Sequence, residues 1–395
     1  MDPRNPEAAV SRGASGEWVE VSCQGEAVRA FVPTPLPPSP AVRIEGALRR
    51  SLDGALLALG RLDGVTTLLP DAPLFVPLFV RKEAVLSCQL AGVRATLLEL
   101  LLFGLDPEPG GAAEDVQAVS CCVAALEHGL RRLREGLPIS SRLVREIHGR
   151  LLARAGGADR QPGELRTQQS WMGGPRPGLA RYVPPPPAHV PECMKELERF
   201  VHEPAERLPA LVKTALAHAQ LETIHPFVDG NGRLARLLTT LLLWSEGVLG
   251  EPLLPLSLYF GARRREYDDL LQRVRRDGDW EAWLQFFSDA VRQTAEGALV
   301  TARRIAELVE RDRWQVQGRR RSVGSALRVL RELQQRPVGS IPRLVDTSGL
   351  SAPRVRAALR KLEGLRIVRP LEGPGGLRVF VYDRYLALLE EGTKP

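Results

Sequence analysis

His225-Pro226-Phe227-Val228-Asp229-Gly230-Asn231-Gly232-Arg233-Leu234-Ala235-Arg236 sets a base, a carboxylate, a glycine-rich turn and two arginines within twelve residues. Upstream, Leu211 to Ile224 carries apolar residues at helical spacing, and Pro226 stops that helix because it lacks an N–H and restricts the residue before it. Downstream, Leu234 to Trp244 reads as an apolar helix. Between them Asp229-Gly230-Asn231-Gly232 is turn chemistry, rich in residues that accept positive φ. Such a turn aims unpaired backbone N–H groups outward at a helix N-terminus, which makes an anion site. Arg233 and Arg236 stand at i and i+3 in the first turn and share a face. Cations are misplaced at that positive helix end unless an anion lies between them, and a phosphate chain meets the condition through charge-assisted bonds. Asp229 suits Mg2+, which takes one or two carboxylates together with phosphate oxygens. His225, at a helix end, suits general-base work near neutral pH. A histidine that merely caps its helix would explain His225 but not its neighbours.

This string resembles the Fic-domain signature, His-x-Phe-x-Asp/Glu-Gly-Asn-Gly-Arg-x-x-Arg, with every fixed position filled. Other segments are similar to the same family: Pro162 to Thr167 with Trp171, the Pro184 to Pro187 run, Glu251 to Leu254, Leu256 to Phe260, and Asp279 to Leu284. The resemblance implies transfer of AMP from ATP to a hydroxyl of a target protein. By the same resemblance His225 is the catalytic base and Asp229 the Mg2+ ligand, while Gly230, Asn231, Gly232, Arg233 and Arg236 bind ATP. Asn231 and the loop amides would hold the α-phosphate, Arg233 the inner phosphates and Arg236 the γ-phosphate, with Phe227 as a core anchor beneath the loop.

The 395 residues suffice for two to three domains, and 44% hydrophobic residues suffice for ordinary cores. No apolar run approaches bilayer length and the start, Met1 to Ser15, is polar, so no membrane partner and a cytoplasmic protein are expected. Cys23, Cys88, Cys121, Cys122 and Cys193 form no C-x-x-C pair and read as small apolar fillers. Glu17 to Cys23 alternates, and the proline-rich Phe31 to Pro40 favours an extended wrap on the domain. Helices are expected over Val42–Leu62 and Leu78–Phe103, followed by a Gly- and Pro-rich loop from Gly104 to Gly111. Further helical periodicity marks Val116–Arg134, Leu143–Ala155 and Glu192–His202, so the centre is a helical bundle. Neither a P-loop nor a G-x-G-x-x-G after a strand occurs, which excludes the usual nucleotide folds. His148, His189, His202 and His218 lack metal-like spacing.

Ser87-Cys88-Gln89-Leu90-Ala91-Gly92 resembles the inhibitory helix of many Fic proteins, Ser/Thr-x-x-x-Glu-Gly/Asn, whose glutamate pairs with the second arginine of the signature. Ser87 and Gly92 match, but Ala91 replaces the glutamate and cannot compete with a γ-phosphate for Arg236. Glu83 is the nearest other carboxylate in that stretch. The resemblance thus implies a de-inhibited enzyme. Arg166 to Val183, broken by Gly173-Gly174-Pro175, is a candidate hairpin, and the resemblance makes Trp171, Tyr182 and Val183 part of a flap that docks the target.

From Arg303 to Pro395 there are 20 Lys plus Arg against 10 Asp plus Glu, so the basic character of the chain lies in its tail. Arg319-Arg320-Arg321 marks a junction. Helices at Val323–Gln334, Ile341–Val345 and Ala352–Leu365, with a turn at Thr347-Ser348-Gly349, precede alternating strands at Leu365–Arg369 and Leu377–Tyr382 around a glycine tip. The order resembles a winged helix, whose long helix carries Arg354, Arg356 and Arg360 as candidate DNA contacts. Arginine outnumbers lysine throughout the chain, so its abundance here has less weight as a DNA signal, and a protein-docking winged helix is equally compatible.

The expected fold is mainly α: a Fic-type helical bundle with a small β-hairpin flap, plus a C-terminal α+β winged-helix domain. Residues 1–115 form an N-terminal region with the inhibitory-type helix, 116–300 the catalytic domain, 301–321 a linker helix and 322–395 the winged helix. The expected function is a protein adenylyltransferase acting on a Ser, Thr or Tyr hydroxyl of a target or of itself. The alternatives are a nucleotide-sensing, DNA-binding regulator and a Fic-fold enzyme with another donor or with AMP-removing activity. A homodimer is left open.

Overall fold

The computed structural model describes residues 12–68, 72–105, 114–154, 160–203, 208–318 and 323–393. The start of the chain before residue 12, most of the expected 104–111 loop and the Arg319-Arg320-Arg321 junction lie outside the described residues. In chain order the elements are β1 (Gly16–Cys23), β2 (Glu26–Pro33), α1 (Gly46–Leu68), α2 (Ala72–Leu90), α3 (Leu97–Phe103), α4 (Glu114–Arg134), α5 (Ser141–Leu151), α6 (Val190–Val201), α7 (Ala210–Ile224) and α8 (Asn231–Ser245). Then come α9 (Ser257–Ala262), α10 (Arg264–Asp277), α11 (Trp280–Gln317), α12 (Val323–Gln335), β3 (Val338–Ser340), α13 (Ile341–Ser348), α14 (Ala352–Gly364), β4 (Arg369–Glu372), β5 (Arg378–Val381) and α15 (Asp383–Glu390). The chain is mainly helical, as its periodicity predicts. It divides into two compact units: residues 1–60, 124–249 and 259–293 form the first, and 61–123, 250–258 and 294–395 the second.

In the first unit α7 and α8 form the centre. Every residue of α7 from Leu211 to Ile224 is buried, and so is nearly all of α8 to Leu243, so neither helix has a solvent face, and both bury charged side chains, among them Lys213, Glu222, Arg233 and Arg236. Trp283 closes over α7, its indole N–H donating to Ala215 O at 2.8 Å. The N-terminal alternation is a strand: β1 pairs antiparallel with β2 in a register running from Gly16↔Pro33 to Cys23↔Glu26. The proline-rich segment beyond β2 packs on the unit as expected, with Thr34 O accepting from Gln220 Nε2 at 2.9 Å.

In the second unit the expected helix Leu78–Phe103 is two helices. α2 stops at Leu90, a turn follows with Gly92 at φ +87°, and α3 restarts behind a capping box in which Thr96 and Glu99 satisfy each other's backbone N–H groups. Apolar periodicity runs through the break, and the glycine and the Thr-x-x-Glu cap override it. The C-terminal part holds α12, α13 and α14 against an antiparallel sheet of order β3-β5-β4. Ser340 caps α13 and Gly349, at φ +65°, ends it. Asp312, fully buried on α11, accepts from Tyr382 Oη at 2.7 Å.

Candidate active site

Every part of the signature lies in the first unit. His225 is the C-cap of α7 and stands at φ 49°, ψ 60°, in the left-handed region. Four of the surrounding carbonyls are held. Glu222 O accepts from Arg275 Nη2 at 3.1 Å, Thr223 O from Tyr182 Oη at 2.6 Å, His225 O from Arg166 Nε at 2.9 Å, and Pro226 O from Arg166 N at 2.9 Å. The Arg275 guanidinium lies 3.7 Å from the centre of the Tyr182 ring. Three residues from other parts of the chain, Arg166, Tyr182 and Arg275, thus pin the end of α7 and the base that caps it.

Past the base, Asn231 closes the turn: its Oδ1 accepts from Phe227 N at 2.9 Å and its Nδ2 donates to Phe227 O at 2.8 Å. Both ends of this side chain are therefore tied to the loop, and its backbone N–H is open to a phosphate. Gly230 caps α8 at φ +81°, and among the described residues the N–H groups of Asn231, Gly232 and Arg233 donate to no protein acceptor. Phe227, wholly buried, stacks on His148 with ring centres 3.7 Å apart and an interplanar angle of 12°.

His148 was not singled out by spacing, yet it fixes the loop. Its Nδ1 accepts from Gly163 N at 2.9 Å, so in the neutral ring the proton is on Nε2, which donates to Asp229 O at 2.9 Å. Burial lowers its pKa and keeps it neutral. Arg166 and Arg275 were likewise missed. The contacts that tie His148, Arg166 and Arg275 to the turn span 81, 59 and 53 positions of chain, and no local pattern carries that information.

Electrostatically the site is cationic. Arg233 is buried, its Nη2 reaches Asp229 Oδ1 at 3.4 Å, and its Nε is enclosed without a hydrogen-bond partner. Arg236 is also buried. Asp229 is half-exposed and meets Arg160 Nη1 at 3.2 Å. Burial first, then the charges of Arg166 and Arg275, push the pKa of His225 down to about 3. The imidazole is therefore neutral at physiological pH and able to accept a proton. Its Nδ1 is enclosed and unpartnered.

The other expected site residues are placed as follows. Met172 and Tyr182 form a single antiparallel bridge at the base of the expected flap. Tyr182 and Val183 are buried, Val183 O accepts from Phe31 N at 2.9 Å, and Trp171 packs against the cluster of Cys23, Val28, Ala30 and Val183. Their side chains hold the flap from inside, and the exposed apolar residue near its tip is Leu179, 57% exposed. Glu26, at the β1–β2 turn, accepts from Gly178 N at 3.1 Å and Arg176 Nη1 at 2.9 Å. In the second unit Ser87 is buried on α2, whereas Ala91 and Gly92 lie exposed in the turn after it. Glu83 is buried and accepts from Ser257 N at 3.1 Å and from its hydroxyl, so it is committed there. Arg354, Arg356 and Arg360 are exposed on α14 and enter no ion pair among the described residues.

Residues 138–243 match the model of the Fic/DOC family, and residues 49–131 match that of the Fic/DOC family N-terminal region. The chain is similar to protein adenylyltransferase Fic of Drosophila melanogaster, 30% identical over 165 residues that make up 42% of this chain and 30% of the relative. It is similar to the protein of the same name from Aedes aegypti, 33% identical over 154 residues, or 39% of this chain and 28% of the relative. The chain thus spans less than a third of these relatives' length. A crystal structure of a Fic family protein from Desulfovibrio desulfuricans G20 superposes with a TM-score of 0.55 at 20% identity, covering 86% of this chain and 97% of that one, and shows the shared fold.

Proposed function

From a chain that carries a Fic/DOC domain, we propose a protein adenylyltransferase that moves AMP from ATP to a Ser, Thr or Tyr hydroxyl of a target protein or of itself. One observation carries this reading: a neutral, strained histidine stands at the end of α7 while the next helix opens with three free amides and two buried arginines. Phosphates would sit on the amides of Asn231, Gly232 and Arg233, with Arg233 and Arg236 neutralising the chain of charges. His225 takes the proton of the target hydroxyl as its oxygen attacks the α-phosphorus. A new P–O bond forms there, the bond from that phosphorus to the bridging oxygen breaks, and pyrophosphate leaves.

Among the described residues no group of three or more His, Cys, Asp or Glu could hold a metal. Asp229 is nonetheless half-exposed at the mouth of the amide site, which suits an Mg2+ whose remaining ligands are phosphate oxygens and water. Such an ion would neutralise phosphate charge. The target is proposed to run along the flap that Trp171, Tyr182 and Val183 support. Because Ala91 stands at the glutamate position of the inhibitory segment, the enzyme is proposed to act without release from that segment.

ATP labelled at the α- or the γ-phosphate tests the reaction. The α-label becomes protein-bound with an added mass of AMP, and protein-bound γ-label would instead make the protein a kinase. The C-terminal segment is proposed to be a winged helix that binds duplex DNA, on the observation that its α14 exposes three unpaired arginines.

A further inference from the structure

The two carboxylate oxygens of Asp229 face different partners. Oδ1 is turned into the loop, where it accepts from Gly230 N at 2.6 Å and lies 3.4 Å from Arg233 Nη2. Oδ2 meets Arg160 Nη1 at 3.2 Å and has no other partner among the described residues. The Arg160 and Asp229 side chains are 46% and 41% exposed while that of Arg233 is 7% exposed, so Oδ2 is the oxygen that an ion from solvent can reach. The contact with Arg160 is also braced. His148 holds both sides of it: Nε2 donates to Asp229 O and Nδ1 accepts from Gly163 N, each at 2.9 Å. Gly163 stands at φ +81°, where a Cβ would lie 3.1 Å from Arg145 O, so the turn lies close against α5. Gly163 O accepts from Arg145 Nε at 2.8 Å, Glu164 pairs with the same guanidinium, and Glu164 N donates to Gln161 O at 3.0 Å. Arg160 leads into this pinned turn, and one imidazole ties the turn and Asp229 together.

We propose that Arg160 is a positioning residue that competes with a divalent cation for Asp229 Oδ2, and so sets how much metal the nucleotide site requires. The two cations exclude each other there. An Mg2+ on Oδ2 would lie about 2.1 Å from it inside a shell of water and phosphate oxygens, and it would repel a guanidinium on the same oxygen. The ion pair is exposed, hence weak and screened, so a divalent charge displaces it. Until then Arg160 covers a carboxylate that would otherwise face the incoming phosphates bare. The reading rests on the proposed nucleotide site and concerns which cation Asp229 faces in it.

The test uses the full chain and the α,β-methylene analogue of ATP, which cannot give up AMP. Calorimetry reads analogue affinity with Mn2+ and with a chelator, and electron paramagnetic resonance reads bound Mn2+ at saturating analogue. In Arg160→Gln the half-saturating Mn2+ concentration falls about two- to five-fold, the range for an exposed ion pair. Metal-free affinity for the analogue falls by a similar factor, because Asp229 is uncovered, while the affinity at saturating Mn2+ is unchanged. Arg160→Lys, which keeps the charge, stays with the parent. In an Asp229→Asn background Arg160→Gln has no further effect on metal-free binding, since the two residues act as one pair. An unchanged or raised Mn2+ requirement in Arg160→Gln would overturn the assignment. So would a metal-free loss that persists in Asp229→Asn, which would make Arg160 a direct phosphate contact. A parent chain that binds the analogue under neither condition would instead sink the nucleotide reading on which this one rests.

Discussion

The turn from His225 to Arg236 and the exposed face of α14 both use arginine, and they use it in opposite ways. In the turn, side chains are committed before any ligand arrives: Asn231 bonds Phe227 at both ends, Arg166 holds two successive carbonyls, and His148 bridges Gly163 to Asp229. On α14, Arg354, Arg356 and Arg360 stand in solvent with no acidic partner among the described residues. Chemistry needs the first arrangement, because a reacting group must already be aimed when the substrate comes. Contact with a long polyanion needs the second, since free side chains follow a backbone and lose only modest freedom for each phosphate.

The sharpest way to break this contrast is to remove the aimed group. His225→Ala should lower the rate of AMP transfer by roughly a hundred- to ten-thousand-fold with ATP affinity nearly unchanged, measured as label incorporation beside calorimetry. Normal turnover would show that the committed turn is a scaffold and not an active site. Next comes Ala91→Glu, which places a carboxylate in an exposed turn. If this turn does regulate Arg236, transfer falls on the order of ten- to a hundred-fold, as for a charged hydrogen bond of about 1.5 to 3 kcal/mol. Activity equal to the parent would assign no inhibitory role to the segment.

Acid probes the committed region through its stability. His218, buried against Trp283, has its pKa pushed down to about 3 by burial and then by the charge of Arg236. Its folded value lies below the unfolded one, so the unfolded chain binds the extra proton. Stability is then full above about pH 6.5 and falls as the pH drops toward 3, by up to about 1.4 kcal/mol per pH unit from this group alone. Thermal melts at pH 7 and pH 5 should show the loss, and a His218→Gln variant should lose less on the same change of pH. The smallest effect belongs to the free face. The double variant Arg356→Ala, Arg360→Ala should weaken DNA binding by a similar factor on every sequence and reduce the salt slope by about 2, read from titrations at several salt concentrations. If the full chain binds duplex DNA no better than the double variant does, the face serves a protein partner instead.

Much of the active turn was legible because its information is local. Pro226 stops a helix, Gly230 takes a φ of +81°, and Arg233 and Arg236 share a helix face by spacing alone. The three helices and the glycine-tipped strand pair of the C-terminal segment were legible for the same reason, since Gly349 and the glycine tip at 373–376 punctuate them, whereas β3 and α15 were not expected. What stayed hidden depends on pairs far apart in the chain. His148 and Asp229 are 81 positions apart, and Glu222 and Tyr267 are 45. The β1–β2 hairpin that supports the flap through Glu26 is likewise joined to it across 152 positions, at Gly178. The break after α2 failed for another reason: apolar periodicity persists across residues 91–96, and there a glycine with positive φ and a capping box decide.

The left-handed backbone at His225 sets function against mutation. A residue other than Gly, Asn or Asp held in that region is strained by roughly 1–2 kcal/mol, and Gly would relieve it at no steric expense. Drift toward glycine at this position would therefore tend to raise stability while removing the base, the trade-off expected where a site is held in a conformation its side chain disfavours. Only selection for the reaction itself opposes that drift. A histidine retained here through many generations is thus a record of activity, and descendants freed from the reaction would be expected to lose it among their first changes.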